Sequence, residues 1–144
     1  MISTHSVAGR ILVGVLIGLI VGMVYMLMLP ALGFEVFSMF GLGTLLMFFF
    51  MGAMTALMGQ FDRHPLFDFK MSWWARGAAI GGAFMLMYVL LSYESLEIVL
   101  QSEVVSWMGL TSPFWAILDG IVIGLIMSWA ETKIAGEGPK LQLR

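Results

Sequence analysis

No cysteine occurs among the 144 residues, which excludes disulfides, thiolate metal sites and a cysteine nucleophile. Charge is scarce as well: Asp, Glu, Lys and Arg make up 11% of the chain, against about 25% in an ordinary soluble domain. There is no basic arm and no run of like charge, so nothing fits a nucleic-acid partner. No segment joins a nucleophile to a base and an orienting group, and no glycine loop has the spacing that cradles phosphate. The sequence therefore predicts a non-enzymatic protein with no catalytic residue, no cofactor and no metal site.

What the chain does contain is apolar surface. Hydrophobic residues make up 60% of it, and the mean hydropathy is +0.98. A chain this short has too little interior to hide that much apolar area from water, whereas a bilayer accepts it on the outside. One span takes roughly 20 residues of helix, so the length accommodates four spans with short connections and no separate soluble domain.

The spans read as about Ile11 to Leu29, Val36 to Met58, Trp73 to Tyr93 and Pro113 to Thr132. Pro30 stops the first, because proline in a helix interior removes a hydrogen bond. Its apolar run is too long for a signal-peptide core, which predicts a retained anchor helix. Ser112-Pro113 opens the fourth with a polar cap and a proline at the first helical position. Between spans three and four, Leu96, Val99, Leu100, Val104 and Trp107 recur at helical spacing, with Glu94, Glu97 and Gln101 on another face. The expected fold is thus an all-α integral membrane protein. It is a single-domain four-helix bundle over residues 1–144, with a short amphipathic interfacial helix between helices three and four.

Charge placement gives the orientation. All seven basic residues (Arg10, Arg63, Lys70, Arg76, Lys133, Lys140, Arg144) fall in the N-terminal segment, the middle connection with the start of span three, or the C-terminal end. The other two connections hold Glu35, Glu94, Glu97 and Glu103 and no Lys or Arg. The basic side is cytoplasmic, which puts both termini inside and suggests a bacterial inner membrane. Trp73, Trp74, Trp107, Trp115, Trp129 and Tyr93 fall near span ends, where aromatic belts sit.

Every span carries small residues four apart: Gly14, Gly18 and Gly22 in the first, Gly52 and Ala56 in the second, Gly77 and Gly81 in the third, Gly120 and Gly124 in the fourth. Such stripes let helix backbones approach closely. They suit packing within one four-helix bundle, and because four exceed its obvious needs some are expected to face a second copy in a homo-oligomer or other membrane subunits. Spans one and three also share a plan: an Arg (Arg10, Arg76), then a glycine-rich half, then a Tyr (Tyr25, Tyr88).

Three polar features stand out. Asp119 lies well inside span four, with no basic residue on its side of the membrane. A charged group at such depth is costly and turns towards protein or water, so Tyr25, Tyr88, Ser38, Ser92 and Thr111 are its candidate partners. Arg76 and Glu131 enter and leave the bundle at matching depth and form a candidate structural ion pair. Met47, Met51, Met54 and Met58 line span two; stacked thioethers suit Cu(I), but methionine also fills apolar gaps. Asp62, Arg63, His64 and Asp68 read as an ordinary solvated connection.

The sequence thus favours a small protein working through helix–helix contacts in the bilayer, as an accessory or assembly subunit. The alternative is a small oligomeric channel or transporter centred on Asp119. Orientation is directly testable because the chain lacks cysteine. A membrane-impermeant maleimide is expected to label Ser102→Cys in intact cells and to leave Ser3→Cys unlabelled until the membrane is opened. The opposite pattern would invert the assignment.

Overall fold

Helix α1 (Val7–Met28) starts where the Ser6 hydroxyl accepts a hydrogen bond from the Gly9 N–H at 3.0 Å, and not at Ile11 as the hydropathy implied. The earlier start draws Arg10 into the helix. The structure is a computed structural model that describes residues 6–61, 63, 66, 68 and 70–138. Beyond Met28 the chain tightens into a 3-10 turn at Pro30 and stops at Gly33, whose φ of 90° is left-handed backbone.

Helix α2 (Met39–Met58) is capped by Ser38, which accepts from the Gly41 N–H at 3.1 Å. Helix α3 (Trp73–Leu91) follows the middle connection. The single short helix expected next is two: α4 (Tyr93–Gln101) and α5 (Glu103–Ser106), separated at Ser102, where the backbone is extended. A 3-10 turn at Pro113–Trp115 leads into α6 (Ala116–Ala135), which ends at Gly136 with a φ of 78°. Four segments are long and apolar enough to cross a membrane: Val7–Leu32, Met39–Met58, Trp73–Leu91 and Pro113–Ala135.

The distribution of side chains is the reverse of that in a water-soluble bundle. Leu12, Leu16, Ile20 and Leu27 of α1, and Val122, Ile126 and Trp129 of α6, point outward. Arg10, Arg76, Glu131, Thr44, Thr55 and Ser128 are buried. A helix in water turns its charged face to solvent; here apolar surface faces out and polar groups pair inside, as hydrocarbon requires.

Two helical hairpins make up the bundle, α1 packing most closely on α2 and α3 on α6. Glycine sets both contacts. A methyl group placed on Gly14 would meet the Gly52 carbonyl and the Ala56 side chain, and one on Gly18 would meet the Phe48 backbone. In the second hairpin, a Cβ on Gly77 would lie 2.5 Å from the Gly124 carbonyl oxygen, and one on Gly81 would lie 2.9 Å from the Gly124 Cα. Gly22 faces Leu45, and Gly120 faces Met85 and Gly81. The stripes are therefore filled by the chain's own helices, and the argument from surplus stripes to a second subunit loses its premise.

The hairpins repeat one another in part. Tyr25 and Tyr88 lie the same eleven residues beyond Gly14 and Gly77. The arginines do not correspond, since Arg10 is four residues before Gly14 and Arg76 is one before Gly77.

Gly81→Ala pushes a methyl group into backbone atoms that cannot swing aside, an overpacking cost of about 1–3 kcal/mol. Gly43 has nothing within 4 Å of the added carbon. Thermal unfolding in detergent is expected to show a clearly lowered midpoint for Gly81→Ala and little change for Gly43→Ala.

Candidate functional site

Polar groups inside the bundle gather at two levels, both on the boundary between the hairpins. At the end roofed by α4 and α5, a cavity of about 320 Å³ lies among the ends of all four long helices. Its walls are apolar, formed by residues such as Leu29, Met47, Phe48, Met85, Leu96 and Val104. Four polar side chains border it: Tyr25, Thr44, Tyr88 and Asp119.

Each tyrosine reaches from its own hairpin to the other. The Tyr25 hydroxyl of α1 donates to Asp119 Oδ2 of α6 at 2.7 Å. The Tyr88 hydroxyl of α3 meets Thr44 Oγ1 of α2. Thr44 uses its single proton on the Phe40 carbonyl at 2.8 Å, so Tyr88 is the donor in that contact. Ring packing holds both in place, Tyr25 against Phe48 with centroids 4.7 Å apart and Tyr88 stacked on Phe40 at 5.8 Å. Thr44 and Tyr88 are buried, whereas Asp119 is exposed on α6.

Of the five partners the sequence offered for Asp119, the structure selects Tyr25. Asp119 does not turn into the bundle, because it sits one residue off the Gly120–Gly124 contact line that faces α3. Its carboxylate keeps acceptor capacity beyond the single bond from Tyr25.

The second level is at the end where α1 begins and α6 ends. Arg10, Arg76 and Glu131 are each 0% exposed. Arg10 Nε donates to the Ala56 carbonyl at 2.9 Å, its Nη1 to the Gly136 carbonyl, and its Nη2 lies 3.6 Å from Glu131 Oε2. The Arg10 guanidinium rests on the Gly59 Cα, where any side chain would collide with it. Thr55 Oγ1 donates to the other Glu131 oxygen at 2.6 Å.

The expected Arg76–Glu131 pair is thus replaced by two others: Arg10 with Glu131, and Arg76 with Glu137 at 3.0 Å. The reason is depth. Ser128 Oγ donates to the carbonyl of Trp73, the first residue of α3, so Glu131 lies a turn beyond the end of that helix. What faces Glu131 there is α1, extended inward by its early start at Val7. Arg76 instead reaches along α6 to Thr132 at 3.3 Å and on to Glu137.

Among the described residues, no group of three His, Asp or Glu side chains is placed to hold a metal. Met47 and Met51 pack in the core with Phe48, Met85 and Met127, while Met54 points outward. In the middle connection Arg63 pairs with Asp68 at 3.4 Å, both exposed; Asp62 and His64 lie outside the described residues. Thr44, Thr55, Glu137 and the burial of Arg10 went unread in the sequence. The two threonines carried a signal, being lone hydroxyls within an apolar run, and Ser6 was the cap that would have placed Arg10 inside.

Removing one member of a buried ion pair leaves the other uncompensated, at a cost of about 3–5 kcal/mol. Arg10→Gln is expected to destabilise the protein strongly in detergent, and Arg10→Gln with Glu131→Gln to recover much of the loss. Additive effects in that double-mutant cycle would show that the two groups are not coupled.

No protein-family model, characterised relative or solved structure matches this chain.

Proposed function

We propose that the chain is a small membrane carrier whose substrate site is the cavity bordered by Tyr25, Thr44, Tyr88 and Asp119. In this reading the four long helices span the bilayer with both termini in the cytoplasm, and α4 lies on the outer surface as the roof of the cavity. The observation that carries the proposal is the cavity's position. It lies between two tightly packed hairpins, on the boundary along which one could rock against the other, as in carriers built from repeats. Its volume of about 320 Å³ falls at the lower end of the range for small-molecule pockets.

The lining defines the substrate class. Apolar walls with one exposed carboxylate suit an apolar molecule ending in a cationic or hydrogen-bond-donating group. Among the described residues no basic side chain pairs with Asp119, whose partner is the Tyr25 hydroxyl. Because Asp119 is exposed, such a molecule would in this reading reach it sideways from the bilayer. The reading stays non-enzymatic, because the cavity offers hydroxyls and one carboxylate without a histidine or lysine to activate them.

The assembly-subunit reading rests on the stripes, the scarcity of intramembrane polar groups and the amphipathic connection; because the stripes pack within each hairpin and polar side chains border a cavity, we place the carrier reading first. Octylamine binding to protein held in phosphatidylcholine nanodiscs tests it, with octanol and octanoate as the neutral and anionic counterparts. The amine is expected to bind more tightly than either. Asp119→Asn should weaken it about tenfold or more, the loss of a charge-assisted hydrogen bond, while leaving the unfolding midpoint near wild type. Equal binding of all three compounds, or an unaltered affinity in Asp119→Asn, would remove the proposal.

A further inference from the structure

Among the described residues, Arg76 is the charged group with the most unmatched buried donors. Its guanidinium is fully buried, yet only Nη2 has partners, Glu137 Oε2 at 3.0 Å and Thr132 Oγ1 at 3.3 Å. Nε and Nη1 make no hydrogen bond, and Arg10 Nη2 beside them makes none either. Buried donors left unmatched are costly and rare. A guanidinium presents its nitrogens as a fork that fits two oxygens of one anion, and Glu137 engages a single nitrogen of that fork.

Glu137 is also the most replaceable member of the cluster. Its side chain is 39% exposed, whereas Glu131 is enclosed between Thr55 and Arg10. It sits between Gly136 and Gly138, both in left-handed backbone with φ of 78° and 75°. This short Gly–Glu–Gly segment is pinned at two points: Arg10 donates to the Gly136 carbonyl, and the Gly138 N–H donates to the Gly59 carbonyl at 2.9 Å. Swinging the Glu137 side chain out breaks neither pin. Its departure leaves two arginines against one carboxylate, a net positive charge at a buried fork.

From this we infer that Arg76, supported by Arg10 and Thr132, forms an anion site for a phosphate group, and that Glu137 fills it as an internal competitor. A phosphate arriving as Glu137 leaves presents several oxygens to Nε, Nη1 and Nη2 together, and it restores the charge balance. The site lies at the end of the bundle that the basic residues assign to the cytoplasm. Both a lipid phosphodiester and free phosphate reach that level. The site is separate from the cavity at Asp119 and does not depend on the carrier reading.

The full chain is compared in two preparations. One uses phosphate-free dodecyl maltoside micelles titrated with inorganic phosphate; the other uses the same micelles with graded phosphatidylglycerol and no phosphate in the buffer. Binding is read from the unfolding midpoint and from phosphatidylglycerol retained in native mass spectra. Glu137→Gln removes the competitor and is expected to tighten phosphate binding about tenfold, the weight of one charge-assisted bond. Arg76→Lys keeps the charge, loses the fork, and is expected to weaken binding by a similar factor. Asp119→Asn should leave it unaltered. The pattern in the first preparation assigns the site to a free anion, and in the second to a lipid headgroup. If Glu137→Gln fails to raise affinity in either, Glu137 is only a tether for the tail and the inference is overturned, whatever the folding of the Arg76 variant.

Discussion

Direct contact between helix backbones, permitted by glycine, is the constraint on which the rest of this structure depends. Helices this apolar are long enough to cross a membrane, a surround that would offer no hydrophobic drive between them and leave close dispersion contact to hold them together. Gly14 against Gly52, and Gly77 and Gly81 against Gly120 and Gly124, bring each pair of helices nearer than any side chain would allow. Two firm hairpins result, and everything less regular is displaced to the boundary between them.

That boundary carries the Tyr25–Asp119, Tyr88–Thr44, Thr55–Glu131 and Arg10–Glu131 contacts, while Ser128 to Trp73 and Arg76 to Thr132 stay within the second hairpin. At one end two tyrosines cross it in opposite directions, and an apolar cavity stands between their hydroxyls. At the other end Arg10, Arg76, Glu131 and Glu137 close it with charge. One end of the bundle thus holds an apolar cavity with four polar side chains, and the other is closed by ion pairs. The ionic end also ties the tail to the bundle, since Arg10 and Arg76 between them hold Gly136 and Glu137.

The helices were legible because apolar runs, proline stops and polar caps are local signals. Pro30 and Ser112-Pro113 fell where the structure bends, and Asp119 and Tyr25 were each visible as polar residues in apolar runs. Partner choice was not legible, because it depends on helix ends and crossing depth. A start at Val7 instead of Ile11 is about one turn of helix, and that turn exchanged the partner of Glu131 from Arg76 to Arg10. The stripes fit both packing within the bundle and contact with another subunit, because a sequence does not say which faces meet inside the chain. A cavity is still less accessible to sequence reasoning. It arises where the hairpins part under α4 and α5, and no single residue announces it.

The central claim is that the space between the hairpins at Asp119 is a ligand site. The chain has no cysteine of its own, so one can be placed on the cavity wall at Ala116 and another on the outward face of α6 at Val122. Maleimide labelling of both in nanodiscs, with and without octylamine, measures occupancy directly. The account predicts that the amine slows labelling of Ala116→Cys and leaves Val122→Cys unaltered; equal rates at both positions with and without the amine would contradict it.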